Sequence, residues 1–424
     1  MTHEPTLEYA RHCDETDPLR AFRDRFALPR GDRGPLVYLC GHSLGLQPLA
    51  ARTAVLEELD DWANLGVLGH ERGRRPWIHY HEQLAPGLER LTGARSGEVV
   101  AMSSLTVNLH LMLATFYRPA GRRTKILIEA GAFPSDRHAV VSHLQWHGLD
   151  PQDHLIELPP SGGELVPEDA IESCLERFGA EIALVLWPGV QYRTGQAFDL
   201  ARVVGAARRA GCVVGFDLAH SIGNMPLALH DSGADFAVWC SYKYLNAGPG
   251  AIGGCFVHER HGQATDLPRL AGWWGHEIAT RFRMEPGFRA APGAPGWQVS
   301  NPPILSAAPL LVSLALFQEA GMQRLRAKSV ALTGFLESVL APLRDEVQIV
   351  TPADPDARGC QLSLRLSSGG DRGRRVFERL GASGVVCDWR EPDILRVAPV
   401  PLYNRFEDVF RFGEQLARAL KEVS

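Results

Sequence analysis

Short apolar runs alternate with helical stretches in the middle of this chain, and the alternation constrains the fold more than any other sequence feature. The runs are rich in Val, Ile, Leu and aromatic residues and lie at 125–130, 181–187, 212–218, 235–239 and 253–257. Helical spacing separates them at 135–147 and 199–210, with Asp199 at the expected N-cap of the second helix. Apolar strands separated by helices indicate a mostly parallel sheet with both faces covered. The sequence therefore predicts a large α/β domain.

The segments before and after this block lack the alternation. Residues 1–45 contain two glycine-rich turns, and helical spacing follows at 46–64 and 80–91. Residues 261–303 are rich in Gly, Pro and Trp without periodicity, and loops of this length inside a compact protein are usually functional. A helical region then runs from 303 to about 341.

The C-terminal residues predict a second, smaller domain. Its predicted elements are strands at 361–366, 385–387 and 394–397, with helices at 372–380 and from 405. We therefore expect three parts. These are an N-terminal arm at 1–45, a large α/β domain at 46–320 and a small C-terminal α+β domain at 321–424.

Composition excludes several classes of function. The net charge of −5 provides no basic surface for nucleic acid. The eight cysteines are scattered without a CxxC pair, which argues against a zinc site or a disulfide framework. The N-terminus resembles neither a signal peptide nor a transit peptide, and no apolar run approaches the roughly 18 residues of a membrane span. We expect a cytoplasmic protein with reduced thiols and no bound metal, nucleic acid or membrane.

Lys243 is the first candidate for chemistry. It follows the predicted strand 235–239 in the run Ser-Tyr-Lys-Tyr, just before the glycine-rich AGPG. Burial among aromatic rings lowers the pKa of a lysine and makes the free amine available for a Schiff base. A lysine considered alone is more often a solvated surface residue.

Asp217 is the second candidate, because it ends the predicted strand 212–218. The carboxyl ends of parallel strands open into the ligand crevice, where a carboxylate can pair with a protonated pyridine nitrogen. Considered alone, an aspartate in this position is more often a helix N-cap or a turn residue. His220, three residues later, could lie against a bound ring or bond Asp217.

The third candidate is the run 103–108, which contains Leu105 and Thr106 and precedes an apolar helix predicted at 109–116. Backbone N–H groups at a helix start bind anions, although most Ser and Thr residues there are simple caps. A phosphate-binding helix start, then an aspartate, then a lysine is the order found in fold-type I enzymes that use pyridoxal 5'-phosphate (PLP). We therefore predict the fold-type I PLP-dependent transferase fold, with PLP as the cofactor.

Longer motifs resemble the kynureninase family over most of the chain from about residue 35. The matching stretches are SLGLQP (43–48), GHERGRRPW (69–77), LTVNLH (105–110), FPSDRHA (133–139), GFDLAHSIGN (215–224), WCSYKYLNAGPG (239–250), GWWGHE (272–277), SNPPIL (300–305) and RVAPVPLYN (396–404). The resemblance implies PLP-dependent hydrolysis of the Cβ–Cγ bond of L-kynurenine or 3-hydroxy-L-kynurenine. The products would be anthranilate or 3-hydroxyanthranilate, and L-alanine. Whether the reaction serves tryptophan catabolism or NAD biosynthesis is left open.

The same resemblance implies roles for individual residues around PLP. Lys243 would carry the cofactor, Asp217 would pair with its ring nitrogen, and Tyr242 would contact the phosphate and help proton transfer. The other residues implied to bind the cofactor are Leu105, Thr106, Phe133, Ser135, Asp136, His220, Trp273 and Asn301.

On the substrate side, the resemblance implies that Ser43, His70 and Asn301 face the aryl ketone and that Arg396 binds the α-carboxylate. Trp273 and Asn301 would come from the partner subunit of a homodimer. Three positions depart from the usual family pattern: His42 replaces Asn, Pro188 a small hydroxyl residue, and Arg193 a Tyr.

Other functions stay open at this point. A cysteine desulfurase or aminotransferase of the same superfamily would share Asp217 and Lys243, although no cysteine stands in the context that a desulfurase needs. A non-catalytic binding protein on a PLP scaffold is a second alternative. A nucleotide-binding domain is disfavoured because no GxGxxG or Walker motif is present in the right context.

Overall fold

The computed structural model of this chain describes residues 3–32, 34–264, 267–367 and 370–423. Its helices are α1 (Leu7–Thr16), α2 (Leu49–Leu65), α3 (Gly69–Arg72), α4 (Tyr80–Thr92), α5 (Leu105–Phe116), α6 (Pro134–Trp146), α7 (Pro151–His154), α8 (Glu168–Phe178), α9 (Leu200–Arg209), α10 (Leu229–Ser232), α11 (Glu259–Gly262), α12 (Ile278–Arg281), α13 (Ile304–Ala320), α14 (Met322–Leu340), α15 (Gly370–Ala382) and α16 (Phe406–Glu422). Its strands are β1 (Arg30–Gly31), β2 (Gly34–Pro35), β3 (Val37–Tyr38), β4 (Val99–Ala101), β5 (Lys125–Glu129), β6 (Leu155–Leu158), β7 (Ile182–Pro188), β8 (Val213–Asp217), β9 (Phe236–Trp239), β10 (Gly254–Val257), β11 (Val347–Ile349), β12 (Leu362–Leu366), β13 (Val385–Val386), β14 (Asp388–Arg390) and β15 (Ile394–Val397).

The large sheet contains the alternating block of the sequence. Its strand order is β4-β10-β9-β8-β7-β5-β6, and the five strands from β9 to β6 run parallel to one another. Only β10 runs antiparallel to its neighbours β9 and β4. Apolar residues fill the strands because helices cover both faces of the sheet. The predicted mostly parallel α/β domain is confirmed.

Close packing along this sheet depends on Gly215 in the middle of β8. A Cβ atom at this position would lie 2.0 Å from the ring of Phe236 on the neighbouring strand β9. The absence of a side chain therefore lets the Phe236 ring lie directly over β8. The helix predicted after β7 is also present, and the Asp199 side chain accepts hydrogen bonds from the backbone of Ala201 and Arg202 as its N-cap.

Two helix boundaries differ from the sequence-based expectation. Helix α5 begins at Leu105 rather than 109, because polar residues in its first turn interrupt the apolar pattern used to place the start. The helical region after Pro303 is broken at Gly321, whose φ of +75° ends α13. Among the described residues no single helix is long and apolar enough to cross a membrane. The segments Ile304–Ala320 and Met322–Leu343 reach that length and composition only as a pair bent by 81°.

The C-terminal residues form a second sheet with the order β11-β12-β15-β14. Helices α14 and α16 pack on it, with Phe335, Leu364 and Phe412 among the buried residues of this core. The N-terminal segment joins the same core, since β3 pairs in parallel with β13 and Ala10 of α1 is buried there. The sequence did not predict helices α1 and α8 or the short strands β4, β6, β11 and β14.

Candidate active site

A cleft opens at the carboxyl ends of β5, β7 and β8. This is the edge at which open α/β sheets bind ligands. The cleft is lined by Leu105, Thr106, Ile128, Glu129, Ala132, Phe133, Ser135, Asp136, Leu186, Trp187, Pro188, Val190, Tyr192, Asp217, Ala219, His220, Tyr242 and Lys243. Nine of the residues singled out in the sequence as cofactor ligands therefore share one cavity, although they come from four separate segments of the chain.

Lys243 projects into this cleft from the loop after β9. Its amine lies 3.1 Å from Nε2 of His220, 5.6 Å from the ring centroid of Phe133 and 6.0 Å from that of Tyr242. Gly45 anchors this loop, because its N–H donates to the carbonyl of Tyr242 at 2.8 Å. A Cβ atom at Gly45 would lie 2.3 Å from the carbonyl oxygen of Lys243, so this close approach requires glycine.

Asp217 ends β8 and is buried at the floor of the cleft. One carboxylate oxygen accepts a hydrogen bond from the N–H of Ala219 at 2.7 Å, which fixes its orientation. Asp136, at the start of α6, is also buried, and its pKa is raised well above the usual value by burial and by the nearby charge of Asp217. The two carboxyls thus lie close enough to repel when both are ionised.

Glu129 is a third acidic residue at this end of the cleft, and sequence analysis missed it. It is the last residue of β5 and is buried. Burial is the main cause that raises the pKa of Glu129 to about 8, and the charge of Asp217 adds to the shift. Its position at the carboxyl end of a parallel strand was the available signal, because Asp217 was identified by that same position.

Two helix starts face the other end of the cleft. Helix α5 begins at Leu105, and the side chain of its N-cap residue Ser104 makes no capping hydrogen bond, so first-turn N–H groups stay available to a ligand. The hydroxyl of Thr106 lies 2.7 Å from that of Ser135, in the first turn of α6. Paired hydroxyls beside uncapped N–H groups form a site suited to an anion such as phosphate.

Aromatic rings flank the space between these two ends. Phe133 is partly exposed to the cleft and makes an edge-on contact with Tyr192, their ring centroids 5.2 Å apart. Tyr192 was not identified from the sequence, which had singled out its neighbour Arg193. Arg193 is absent from the cleft lining and forms ion pairs with Glu164 and Asp393 instead.

Arg396, on β15 of the small sheet, lies outside the cleft lining and is 1% exposed. Its Nε donates to Asp388 at 3.0 Å, and its Nη1 donates to the carbonyl of Tyr192 at 2.7 Å. The Tyr192 bond connects the C-terminal sheet to the loop that lines the cleft. Arg396 is thus held rigidly, with N–H bonds left over for a further ligand.

The remaining predicted residues do not line the cleft of the single chain. Ser43 is half-buried, and the ring of His70 packs against Trp77 at 5.3 Å between centroids. Asn301 is exposed, and Trp273 is 49% exposed with its indole N–H donating to the carbonyl of Arg281 at 3.0 Å. Their assigned roles stay predictions.

Among the departures from the family pattern, Pro188 lines the cleft at the end of β7 and adds no hydroxyl there. His42 is completely buried.

Known proteins resemble this chain along its whole length. A family model described as the kynureninase C-terminal domain matches residues 325–416. A protein named kynureninase from Xanthomonas euvesicatoria pv. vesicatoria (strain 85-10) is 59% identical over 420 residues, which are 98% of this chain and 99% of that protein. Another kynureninase, from Xanthomonas campestris pv. campestris (strain B100), is 58% identical over 418 residues, 98% of each chain.

Solved structures show the same fold at lower identity. The cysteine desulfurase CsdA from Escherichia coli superposes with a TM-score of 0.77 at 19% identity, covering 95% of this chain and 98% of its own. A mutant of C-DES with glycine covalently linked to its PLP cofactor gives a TM-score of 0.76 at 20% identity, covering 91% and 96%. These structures share the fold, whereas the full-length relatives at 58–59% identity share the family. The chain belongs to the kynureninase family.

Proposed function

We propose that this protein hydrolyses the Cβ–Cγ bond of L-kynurenine, of 3-hydroxy-L-kynurenine or of both, with PLP as cofactor. The products are the corresponding anthranilate and L-alanine. One observation carries the proposal: Lys243 and Asp217 face the same cleft in a chain that is 59% identical, over 98% of its length, to a protein named kynureninase.

The polar atoms of the cleft fit PLP, which has a phosphate, a basic ring nitrogen and an aldehyde. The helix start at Leu105 with Thr106 and Ser135 suits the phosphate, and Asp217 at the opposite end suits the ring nitrogen. Nδ1 of His220, Oδ1 of Asp136 and Oε2 of Glu129 are buried without a hydrogen-bond partner among the described residues. Such atoms are rare in folded proteins unless a ligand or water satisfies them. PLP, when bound, supplies an electron sink for bonds at the substrate Cα.

Asp217 would keep the ring nitrogen protonated. Its carboxylate is already oriented by the N–H of Ala219, so it can accept a further hydrogen bond without rearranging. An opposite charge at contact distance shifts a pKa by roughly 1–3 units, which is enough to hold a pyridine nitrogen in its charged form near neutral pH. Phe133 would cover one face of the ring.

Lys243 would move the proton at the substrate Cα. Its amine stands over the cleft beside His220, and a free amine placed there can remove the Cα proton and return it. Burial raises the pKa of Tyr242, with the neighbouring Cys240 adding to the shift. The phenol therefore keeps its proton and can donate a hydrogen bond to the cofactor phosphate or pass the proton on.

Substrate contacts would come from both sheets and from a second subunit. Arg396 would bind the α-carboxylate, while Ser43, His70 and Asn301 would face the aryl ketone. Trp273 and Asn301 are exposed and lie outside the cleft lining of their own chain, as expected if each completes the site of a partner in a homodimer. We also propose domain limits at 45/46 and 320/321 and a cytoplasmic location.

The main rival within this fold is a cysteine desulfurase, which requires a reactive cysteine at the substrate. All eight cysteines are described, and none of them lines the cleft. Seven of the eight are buried, and burial raises the pKa of the remaining one, Cys13. The arrangement therefore disfavours a cysteine desulfurase.

The proposal is tested with purified, PLP-loaded protein given L-kynurenine, and 3-hydroxy-L-kynurenine in parallel. Anthranilate fluorescence and L-alanine released in equal amounts would support it, and the ratio of the two rates would identify the preferred substrate. Normal PLP absorbance without product from either compound would contradict the reaction while leaving the cofactor assignment intact.

A further inference from the structure

His42 is a buried side chain whose two ring nitrogens both lack a hydrogen-bond partner among the described residues. Its ring is 0% exposed. A neutral imidazole has one N–H donor and one acceptor nitrogen, and leaving both unsatisfied in a protein interior is costly. The ring therefore needs a ligand that the isolated chain does not provide.

The side chain of Asp388 connects His42 to the guanidinium of Arg396. A ring nitrogen of His42, Sγ of Cys40 and a carboxylate oxygen of Asp388 all lie within 4.8 Å of one another. That carboxylate holds Arg396, with 3.0 Å to Nε and 2.8 Å to Nη2. On the cleft side, the charge of Lys243 acts on both His42 and His220. His42 thus lies close enough to both Arg396 and Lys243 for their charges to act on its ring.

The charges around His42 favour an anion as its missing hydrogen-bond partner. Asp388 is shared by Arg396 and Arg390, at 2.8 Å and 3.0 Å. One carboxylate therefore faces two guanidinium groups, and Lys243 adds a further positive charge. Burial and then these three cations lower the pKa of His42, so the ring stays neutral. A metal ion among Cys40, His42 and Asp388 would be repelled by the same cations, whereas a carboxylate would be attracted.

We infer that His42 donates a ring N–H to the α-carboxylate of the amino-acid substrate, next to Arg396. The contacts of Arg396 with Asp388 and Tyr192 leave at least two of its five N–H bonds for that carboxylate. His42 then supplies a second donor from the N-terminal segment, so the carboxylate is held by two separate parts of the chain. The inference rests on the proposed function, because it requires an amino acid as substrate.

The experiment compares two ligands that differ only in the carboxylate. L-alanine and L-alaninamide are titrated into PLP-loaded wild-type protein and into His42→Leu and His42→Asn, and binding is followed by the visible absorbance of the cofactor. His42→Leu is expected to weaken L-alanine by about 10-fold or more, the usual effect of losing a hydrogen bond to a charged group. L-alaninamide should change by less than about twofold. His42→Asn keeps an N–H donor and should lose less affinity for L-alanine than His42→Leu.

His81→Leu is the matched control, because His81 is also buried with an unpartnered Nδ1 but lies on α4, where the charges that act on it are those of Glu82, Arg281 and His79 rather than Arg396 and Lys243. It should leave both ligands unaffected, and melting temperatures identify variants that fold poorly. Equal losses for L-alanine and L-alaninamide in His42→Leu would overturn the inference, and so would no loss for L-alanine. Arg396→Gln must also reduce the preference for L-alanine over its amide; if it does not, the carboxylate site is elsewhere. Wild-type turnover of kynurenine decides the proposed function independently of these results.

Discussion

The amine of Lys243 lies 3.1 Å from Nε2 of His220, and this contact determines which ring nitrogen of His220 carries the proton. Burial lowers the pKa of His220 well below its usual value, and the charges of Lys243 and Arg396 lower it further. A neutral His220 can accept a hydrogen bond at Nε2 only if its proton is on Nδ1. Nδ1 is buried without a partner among the described residues, so the Lys243 contact leaves a donor free for the cofactor.

Replacing Lys243 by alanine should reduce turnover of L-kynurenine by at least about 10²-fold, because the group that moves the Cα proton is lost. The protein should also lose the visible absorbance of PLP bound to lysine. Lys125→Ala is the matched control, since Lys125 forms a partly exposed ion pair with Glu181 away from the cleft. If Lys243→Ala retained most of the activity, the proposed role of this amine would be wrong.

Asp217→Asn should still bind PLP but turn over slowly. The loss of an adjacent charge lowers the pKa of the ring nitrogen by roughly 1–3 units, so kcat is expected to fall about 10- to 1000-fold. Steady-state kinetics and PLP content measure the two effects separately. Asp199→Asn is the control, because Asn caps a helix about as well as Asp, and it should change neither quantity. Unchanged kcat in Asp217→Asn would argue against pairing with the ring nitrogen.

Glu129 should make the PLP-free protein less stable as the pH rises. Burial raises its pKa from 4.5 to about 8, so the folded state binds more protons than the unfolded chain between these values. The contribution of Glu129 to the free energy of unfolding is therefore fully present below about pH 4.5 and is lost as the pH rises through about 8. Melting temperatures of wild type and Glu129→Gln, measured from pH 5 to 8.5, should diverge in favour of the variant at the alkaline end.

The comparison for this pH effect is Glu157→Gln, which removes a carboxyl from an exposed pair with Arg137. Its melting curve should run parallel to that of wild type over the whole range. If the curve for Glu129→Gln also ran parallel to that of wild type, the carboxyl of Glu129 would not titrate between pH 5 and 8.5.

Lys328 and Asp17 form a buried ion pair at 2.7 Å between the N-terminal segment and α14. Removing one partner leaves an uncompensated buried charge, so Lys328→Ala should lower the free energy of unfolding by roughly 3–5 kcal/mol. Urea denaturation measures the change. Lys125→Ala breaks a partly exposed pair and should cost about 1 kcal/mol or less. Similar losses in the two variants would mean that burial does not determine the contribution of this pair.

A shared active site can be tested by mixing two inactive variants. Lys243→Ala and Asn301→Ala should each be inactive or severely impaired as homodimers. If Asn301 acts on the partner's site, mixed dimers contain one intact site, and random exchange of subunits should restore about a quarter of wild-type activity. Activity that stays at the level of the separate variants, in a mixture shown to exchange subunits, would place Asn301 in its own subunit's site or outside both.

Local patterns were sufficient for much of the fold and part of the cleft. Each strand from β5 to β10 was predicted except β6, a short edge strand whose burial is incomplete. The three-residue strands β4, β11 and β14 contain too few residues to show a period. Helix α1 was not predicted because only Ala10 among its residues is fully buried, which leaves a weak apolar stripe.

What the sequence by itself determined are features carried by consecutive residues: the alternation of strands and helices, the N-cap at Asp199, and the order of helix start, Asp217 and Lys243. Tertiary structure alone decided which distant side chains meet. It placed Glu129 and Asp136 beside Asp217, put Tyr192 rather than Arg193 in the cleft, and enclosed His42 near Arg396. The physical reason is that periodicity reports which face of one element is buried, whereas the pKa of a carboxyl and the unmet hydrogen bonds of a histidine depend on neighbours from other elements.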